Sequence, residues 1–390
     1  MEYRKLNELC EINIGKTPSR NKSEYWGDGS SWLSISDLKD KFITKTKEEI
    51  TSKAISECNM KIVPKNTVVM SFKLSIGKTA ILKEDMYTNE AIANFPIKNN
   101  SLISEYLYYA IKTLNFDNTD RAVMGATLNK AKLNELKIPY CEINKQKEIV
   151  EVLNKAQELI NKRKEQIAAL DELVKSKFIE MFGDPITNPK NIEQVYLKDL
   201  SKLITKGASP NWQGIEYVDD ETQTLFVTSE NVREGYIDLS KKKFLMDAFN
   251  EKQKRSVLQS GDFLINIVGA SIGRAAQFNL DIKANINQAV ALVRLKDGVI
   301  NDKYLLTYLN SPKALKMYES MQVSVARANL SLQNINDLEI LLPPIELQNQ
   351  FADFVKQVDK LKFEMEKSLK ELEDNFNSLM EKAFNEELLK

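Results

Sequence analysis

Histidine is absent from this 390-residue sequence. Its absence excludes Ser-His-Asp and Cys-His triads, histidine zinc sites and the side chain most used for acid–base chemistry near neutral pH. Cysteine is nearly absent: Cys10, Cys58 and Cys141 are scattered, with neither zinc-ligand spacing nor a disulfide framework, as in a reducing compartment. No run of about 18 apolar residues occurs, and Met1 is followed by "EYRKLNEL" instead of a leader, so a soluble, cytoplasmic protein is expected. Net charge is missing too, with 55 basic residues against 55 acidic ones. Its distribution is mildly uneven: residues 1–141 carry 21 basic and 17 acidic side chains, whereas residues 343–390 carry 7 and 11. What is present is a hydrophobic content of 43%, enough for real cores over a length that suits two or more domains.

The stretch "MSFKLSIGKTAIL" (70–82) contains the Gly-Lys-Thr of a phosphate-binding loop. Such a loop needs a glycine five positions earlier and a helix immediately after. Here that earlier position is Phe72, and the residues after Thr79 read as short strands and turns. The stretch also has a twin: "SIGKTA" (75–80) matches "SIGRAA" (271–276), where Arg274 and Ala275 replace Lys78 and Thr79. A nucleotide site cannot lose both residues and keep its chemistry. A tight turn built on glycine can.

The chain is written twice. "TNEAIANFPI" (88–97) matches "INQAVALVRL" (286–295), "EYLYYAI" (105–111) matches "KYLLTYL" (303–309), and "INKQKEIVEVLNK" (143–155) matches "IELQNQFADFVKQ" (345–357). Each copy begins with a turn-rich mixture of β-branched runs such as "NTVVMSF" and "GDFLINIV", which predicts an α+β domain. Each copy ends in a long predicted helix. In the first, Ile149, Leu153, Ala156, Ile160, Arg163, Ile167, Leu170, Val174, Lys177 and Met181 form a heptad seam. In the second, the seam is Phe351, Val355, Val358, Lys362, Met365, Leu369, Leu372, Phe376, Leu379 and Ala383. The expected fold class is α+β: two similar globular domains joined by two long antiparallel helices in a coiled coil, with an internal pseudo-two-fold repeat. Beside the seam, Val152, Leu159 and Leu173, with Phe354 and Leu361 in the second copy, form a further apolar stripe. It predicts either added partner helices or globular domains folded back upon it.

Two similar, non-identical heads on a fixed scaffold suit a long ligand with two half-sites, and DNA is such a ligand. Candidate DNA contacts are the cations in turn-rich parts of each head. They are Arg20, Lys22, Lys73, Lys78 and Arg121 in the first, and Arg233, Lys241, Lys242, Lys243, Arg274 and Arg327 in the second.

At this point the chain resembles the specificity (S) subunit of type I restriction-modification systems. The likeness is carried by "GKTPSRNKSEYWGDGSSWLSISDL" (15–38), "ATLNKAKLNELKIP" (126–139), "QKEIVEVL" (146–153), "MFGDPITNPK" (181–190) and "LPPIELQNQF" (342–351), in the family's order. The second spacer keeps the familiar Pro-Pro-x-x-x-Gln as Pro343, Pro344 and Gln348, whereas "IPYCEINKQ" keeps only Pro139. The resemblance implies target-recognition domains at 1–142 and 185–343, with helical spacers at 143–184 and 344–390. It implies a non-catalytic, metal-free chain that binds double-stranded DNA, one half of a bipartite asymmetric site per domain, and has no membrane partner. Two methyltransferase subunits would dock on it, partly through the helices, and restriction subunits could join. S-adenosylmethionine would sit on the former, ATP and magnesium on the latter, and no cofactor on this chain. Two other readings stay open: a coiled-coil scaffold that never reads DNA, and a DNA-reading subunit of a methylation-only phage-defence complex.

Overall fold

In the computed structural model of the chain, the described residues are 1–73, 75–114, 116, 121–122, 125–126, 128–321 and 329–385. The chain divides into two compact units, residues 1–164 with 367–390 and residues 165–366. Two helices, Ile143–Phe182 and Ile345–Phe384, are each 40 residues long, about 60 Å at 1.5 Å per residue. Each helix contributes one segment to each unit. Neither contains glycine or proline, and every heptad-seam position named above is buried or half-buried. Exposed Lys155–Glu151 and Lys162–Glu158 pairs, at 2.7 and 2.6 Å, support the first helix one turn apart.

The first unit is built on a five-stranded sheet ordered Asn13–Ile14, Ile92–Phe95, Val68–Ser71, Thr79–Leu82, Phe42–Ile43. All neighbours are antiparallel except the last pair. The three inner strands are buried at every position, because the sheet is covered on both faces. Val68 and Met70 join a core with the helix Ser104–Lys112, while Val69 packs on the other side with Leu33, Ile43 and Met86. A sheet covered twice reads as continuous apolar runs instead of an alternation. A three-stranded sheet of Glu48–Ile50, Trp26–Leu33 and Tyr87–Thr88 lies alongside in sequence, and Glu2–Lys5 pairs with Lys137–Tyr140 just before the long helix.

The second unit repeats the plan. Its sheet runs Ser201–Lys206, Val290–Leu295, Asp262–Asn266, Ala275–Phe278, and a second one runs Tyr217–Val218, Phe244–Leu245, Thr224–Val227, Ala284–Ile286. Gln194–Tyr196 pairs with Glu339–Leu341 before the second long helix. Phe263 and Ile265 face one core and Leu264 the other, as in the first unit. One glycine in each copy is required by close approach. A Cβ on Gly15 would stand 2.1 Å from the carbonyl oxygen of Thr88, and one on Gly207 would stand 1.8 Å from that of Ile286.

The helices enter their units through matched contacts. Phe182, at the end of the first long helix, packs on Tyr304 with ring centroids 4.8 Å apart, and Phe178 and Phe182 both meet Phe351. In the other unit Phe384, at the end of the second long helix, packs on Tyr106 at 5.5 Å, and Phe376 faces Tyr109. The two helices run antiparallel: Lys164 meets Glu373 at 2.8 Å in the first unit, and Asp171 meets Lys362 at 2.6 Å in the second.

A buried glutamine fixes the start of each long helix. Gln348 Nε2 donates to the Pro343 carbonyl (2.7 Å) while its Oε1 accepts from the Asn301 N–H (2.8 Å). Gln146 does the same, donating to the Cys141 and Ser101 carbonyls (2.8 and 2.9 Å) and accepting from the Ile103 N–H (3.0 Å). The first spacer's missing prolines therefore change nothing essential, because the partner is a backbone carbonyl. A hydrogen-bonded network of Lys41, Glu105, Tyr109 and Asn154 adds a second tie to the first helix, with Asn154 Oδ1 accepting from Lys41 (2.6 Å) and Tyr109 (2.8 Å).

Replacing Gln348 with Leu leaves the Asn301 N–H and the Pro343 carbonyl without partners, so urea denaturation should show a loss of about 1–3 kcal/mol. Phe384→Ala removes the aromatic plug of the first unit, and the same measurement should show a loss of about 3–5 kcal/mol.

Candidate nucleic-acid interface

Strand pairing positions the cations singled out from sequence. After the strand Val68–Ser71 the chain turns through Gly77, at φ 88, and enters Thr79–Leu82. The Gly77 N–H donates to the Ser71 carbonyl at 2.9 Å, and the Lys78 N–H to the Ser71 hydroxyl at 3.1 Å. These amides are satisfied within the turn and lead into a strand, so nothing here cradles a phosphate in the manner of a nucleotide loop. The second copy builds the same turn: Gly273, at φ 85, donates to the Asn266 carbonyl at 2.9 Å before the strand Ala275–Phe278. Its ring neighbour Tyr318 would meet an added Cβ at 2.5 Å.

Lys78 and Arg274 thus occupy one position in both copies. Among the described residues neither side chain has a hydrogen bond or an ion pair, Lys78 is exposed and Arg274 is partly so. Lys241 is exposed and likewise unpaired among the described residues, and Lys73 has only its own neighbour Phe72, 5.4 Å from the ring centre. A cation with no carboxylate beside it is free to meet a polyanion.

The other candidates are already engaged. Arg20 forks onto Glu48, with Nη2 2.9 Å from Oε2, and lies 3.7 Å over the Trp26 ring. Lys22 donates to the Tyr25 hydroxyl at 2.8 Å and stands 3.7 Å from Glu57. Arg233 faces Asp238 at 3.4 Å, Lys242 faces Glu221 at 3.0 Å, and Lys243 faces Glu230 at 3.2 Å. Exposed pairs of this kind are weak and exchange readily for phosphate. Tyr217, Lys242 and Lys243 line one cleft of about 640 Å³. The side chain of Arg121 and all of Arg327 lie outside the described residues.

Sequence reasoning sought cations and missed the exposed aromatics. Trp212 is 89% exposed, and Tyr217 and Tyr236 are more than half exposed. On the helices, Phe354 packs against the second unit's core and Val152 is half-buried, whereas Leu159, Leu173 and Leu361 remain exposed. Among the described residues no cluster of three carboxylates or thiols could hold a metal, and no helix is long and apolar enough to cross a membrane. Burial pushes the Cys10 thiol up to about 12, which keeps it protonated and inert.

The model of the type I restriction modification DNA specificity domain matches residues 1–169 and again residues 189–374. The chain belongs to that family. Its relatives include the MjaIX specificity subunit of Methanocaldococcus jannaschii, 26% identical over 378 residues that span 91% of this chain and 86% of the relative. The EcoBI specificity subunit of Escherichia coli is 29% identical over 162 residues, 40% of this chain and 34% of the relative. A chain in a solved type I R-M system shares the fold, with a TM-score of 0.59, 16% identity, and coverage of 98% of this chain and 97% of that one. As a specificity subunit by family, this chain has a role in DNA specificity, and the family is generally non-catalytic. Each family match covers one recognition segment and most of the long helix after it.

Because the hydrogen bond from Arg20 holds Glu48 below the usual carboxylate range, the pair's contribution is complete at neutral pH and is lost only as pH falls through that lowered value. Tryptophan fluorescence followed during acidification should therefore change only below the range in which a glutamate ordinarily titrates. In Arg20→Ala that transition should move up toward the ordinary glutamate range, since the cation that holds Glu48 ionised is gone and Trp32 still stands opposite the carboxylate.

Proposed function

We propose that the chain is the non-catalytic DNA-reading subunit of a cytoplasmic type I restriction-modification complex, each recognition domain reading one half of a bipartite, asymmetric site. The observation that carries the reading is the twofold family match, one copy per recognition segment. The recognition domains are taken as 1–142 and 185–343, and the helical spacers as 143–184 and 344–390. The turn cations Lys78 and Arg274 are the foremost contacts, each on its own half-site, supported by their shared position and lack of carboxylate partners among the described residues. Lys73 and Lys241 add backbone contacts, while Arg20, Lys22, Arg233, Lys242 and Lys243 act where phosphate displaces their carboxylates. Arg121 and Arg327 are kept as candidates on sequence alone.

Two methyltransferase subunits dock on the chain and carry S-adenosylmethionine, and the exposed Leu159, Leu173 and Leu361 support a helix-packed partner there. Restriction subunits, bringing ATP and magnesium, would complete the nuclease. The helices set the distance between half-sites.

The first test is methylation mapping of the source genome by single-molecule sequencing, with and without the gene. A bipartite methyladenine motif that vanishes on deletion is expected; no change in any motif would return the chain to a scaffold role. On the mapped site, Arg274→Ala should weaken binding by about 1–3 kcal/mol only when the second half-site is intact, and Lys78→Ala only when the first is. An equal loss on every sequence would assign that residue to phosphate. Removing one heptad from each long helix shortens it by about 10 Å, so the mapped gap should shrink by about three base pairs. An unchanged gap would refute the ruler.

A further inference from the structure

The two recognition segments can be aligned through their closest backbone contacts. Gly15 is pressed against the Thr88 carbonyl and Gly207 against the Ile286 carbonyl, so these glycines occupy one position. Five residues further on stand Arg20 in the first copy and Trp212 in the second, with Pro18 and Pro210 in step just before them. The neighbouring strands give the partners. Leu33 pairs in parallel with Thr88, as Val227 does with Ile286, which makes Trp32 equivalent to Phe226. Trp32 stands opposite Glu48, and the Phe226 N–H donates to the Lys243 carbonyl at 2.8 Å, so Lys243 stands where Glu48 stands.

The chemistry at these matched positions is inverted. In the first copy Arg20 folds back onto Glu48 and over Trp26, and the cation is satisfied by its own chain. In the second copy the counterpart of Arg20 is an indole and that of Glu48 is a lysine, while Tyr217 stands for Trp26, pairing with Leu245 as Trp26 does with Ile50 and meeting Phe226 edge to face as Trp26 meets Trp32. Trp212 has no carboxylate at the position of Glu48, and it is 89% exposed.

Its backbone, by contrast, is fixed. The Gln213 and Ile215 N–H groups donate to the Pro210 carbonyl at 2.9 and 3.1 Å, and Lys252 Nζ binds the Gln213 carbonyl at 2.6 Å. Ile215 is buried among Phe226, Leu245 and Phe249, with Ala208 packed against the same cluster. A large indole held in water on a hydrogen-bonded loop, with Lys243 just ahead of the strand Phe244–Leu245 and tied only by an exposed pair to Glu230, is arranged for an anionic polymer that offers flat apolar faces.

We propose that Trp212 is a DNA contact of the second recognition domain, stacking its indole on a base or deoxyribose of that half-site. The first domain has no such contact, because Arg20 fills the position and is held by Glu48. This assignment rests on the DNA-reading role proposed above.

Fluorescence isolates the residue. Of the three tryptophans, Trp26 and Trp32 pack edge to face in the first domain with centroids 4.9 Å apart, and Trp32 is buried. The full chain is titrated with three duplexes: the mapped site, the site with its first half scrambled, and the site with its second half scrambled. Wild type should be quenched by both duplexes that keep the second half-site. Trp212→Phe should bind them and lose that quench. Trp212→Ala should bind them at least about fivefold more weakly, within the range of aromatic stacking on a base, and match wild type on the duplex lacking the second half-site. Wild-type affinity in Trp212→Ala, a quench retained in Trp212→Phe, or an equal loss on all three duplexes would each overturn the assignment. If wild type itself discriminates among none of the duplexes, the DNA-reading role falls first and this contact falls with it.

Discussion

Each unit's core is closed by aromatic contact with the last turn of a long helix, and that contact orders everything around it. Phe182 meets Tyr304 and Phe384 meets Tyr106, so the helix that leaves the first recognition segment ends inside the second unit, and the reverse. These two buried tyrosines have their hydroxyls on backbone carbonyls, Tyr106 on Pro139 and Tyr304 on Leu341. These carbonyls belong to the strand that precedes each long helix, so a single side chain links strand, recognition helix and helix terminus. Large aromatics supply the apolar area, and satisfied hydroxyls fix their orientation.

Much of this arrangement is legible in the sequence, and the reason is periodicity. The heptads survive because no glycine or proline interrupts them, and every seam residue is buried or half-buried. Duplication exposes the Gly-Lys-Thr of the first copy as a turn, since the second keeps only the glycine and both glycines hold positive φ. The pairing of Glu2–Lys5 with Lys137–Tyr140 has no such signal, because it joins residues 130 and more apart through the backbone, whatever the side chains. Gln146 is legible through the repeat, which aligns it with Gln348, but its bond to the Cys141 carbonyl is not, because residue identity at that position is irrelevant to the bond.

The candidate interface was less legible than the fold. Charge is visible in a sequence, but the availability of a charge is not, because it depends on which carboxylate the fold brings near. Arg20 and Arg274 look equivalent as letters, yet one is forked onto Glu48 and the other has no carboxylate partner among the described residues. Trp212 escaped notice because an aromatic in a turn-rich stretch reads as buried until its neighbours are known. Only the close approach of Gly15 to the Thr88 carbonyl and of Gly207 to that of Ile286 brings Arg20 and Trp212 into correspondence.

The first unit is assembled from residues 1–164 together with residues from 367 onward. Domains made of contiguous chain can fold as they leave the ribosome, at about 5–20 residues per second. Here the first recognition segment emerges early but lacks Phe376 and Phe384 until some 200 residues more have been translated, a delay of about 10–40 s. During that interval Tyr106 and Tyr109 face an unfilled cleft. A message cut short before the codons for Phe376 and Phe384 would therefore yield a chain defective in its first recognition segment as well as at the cut.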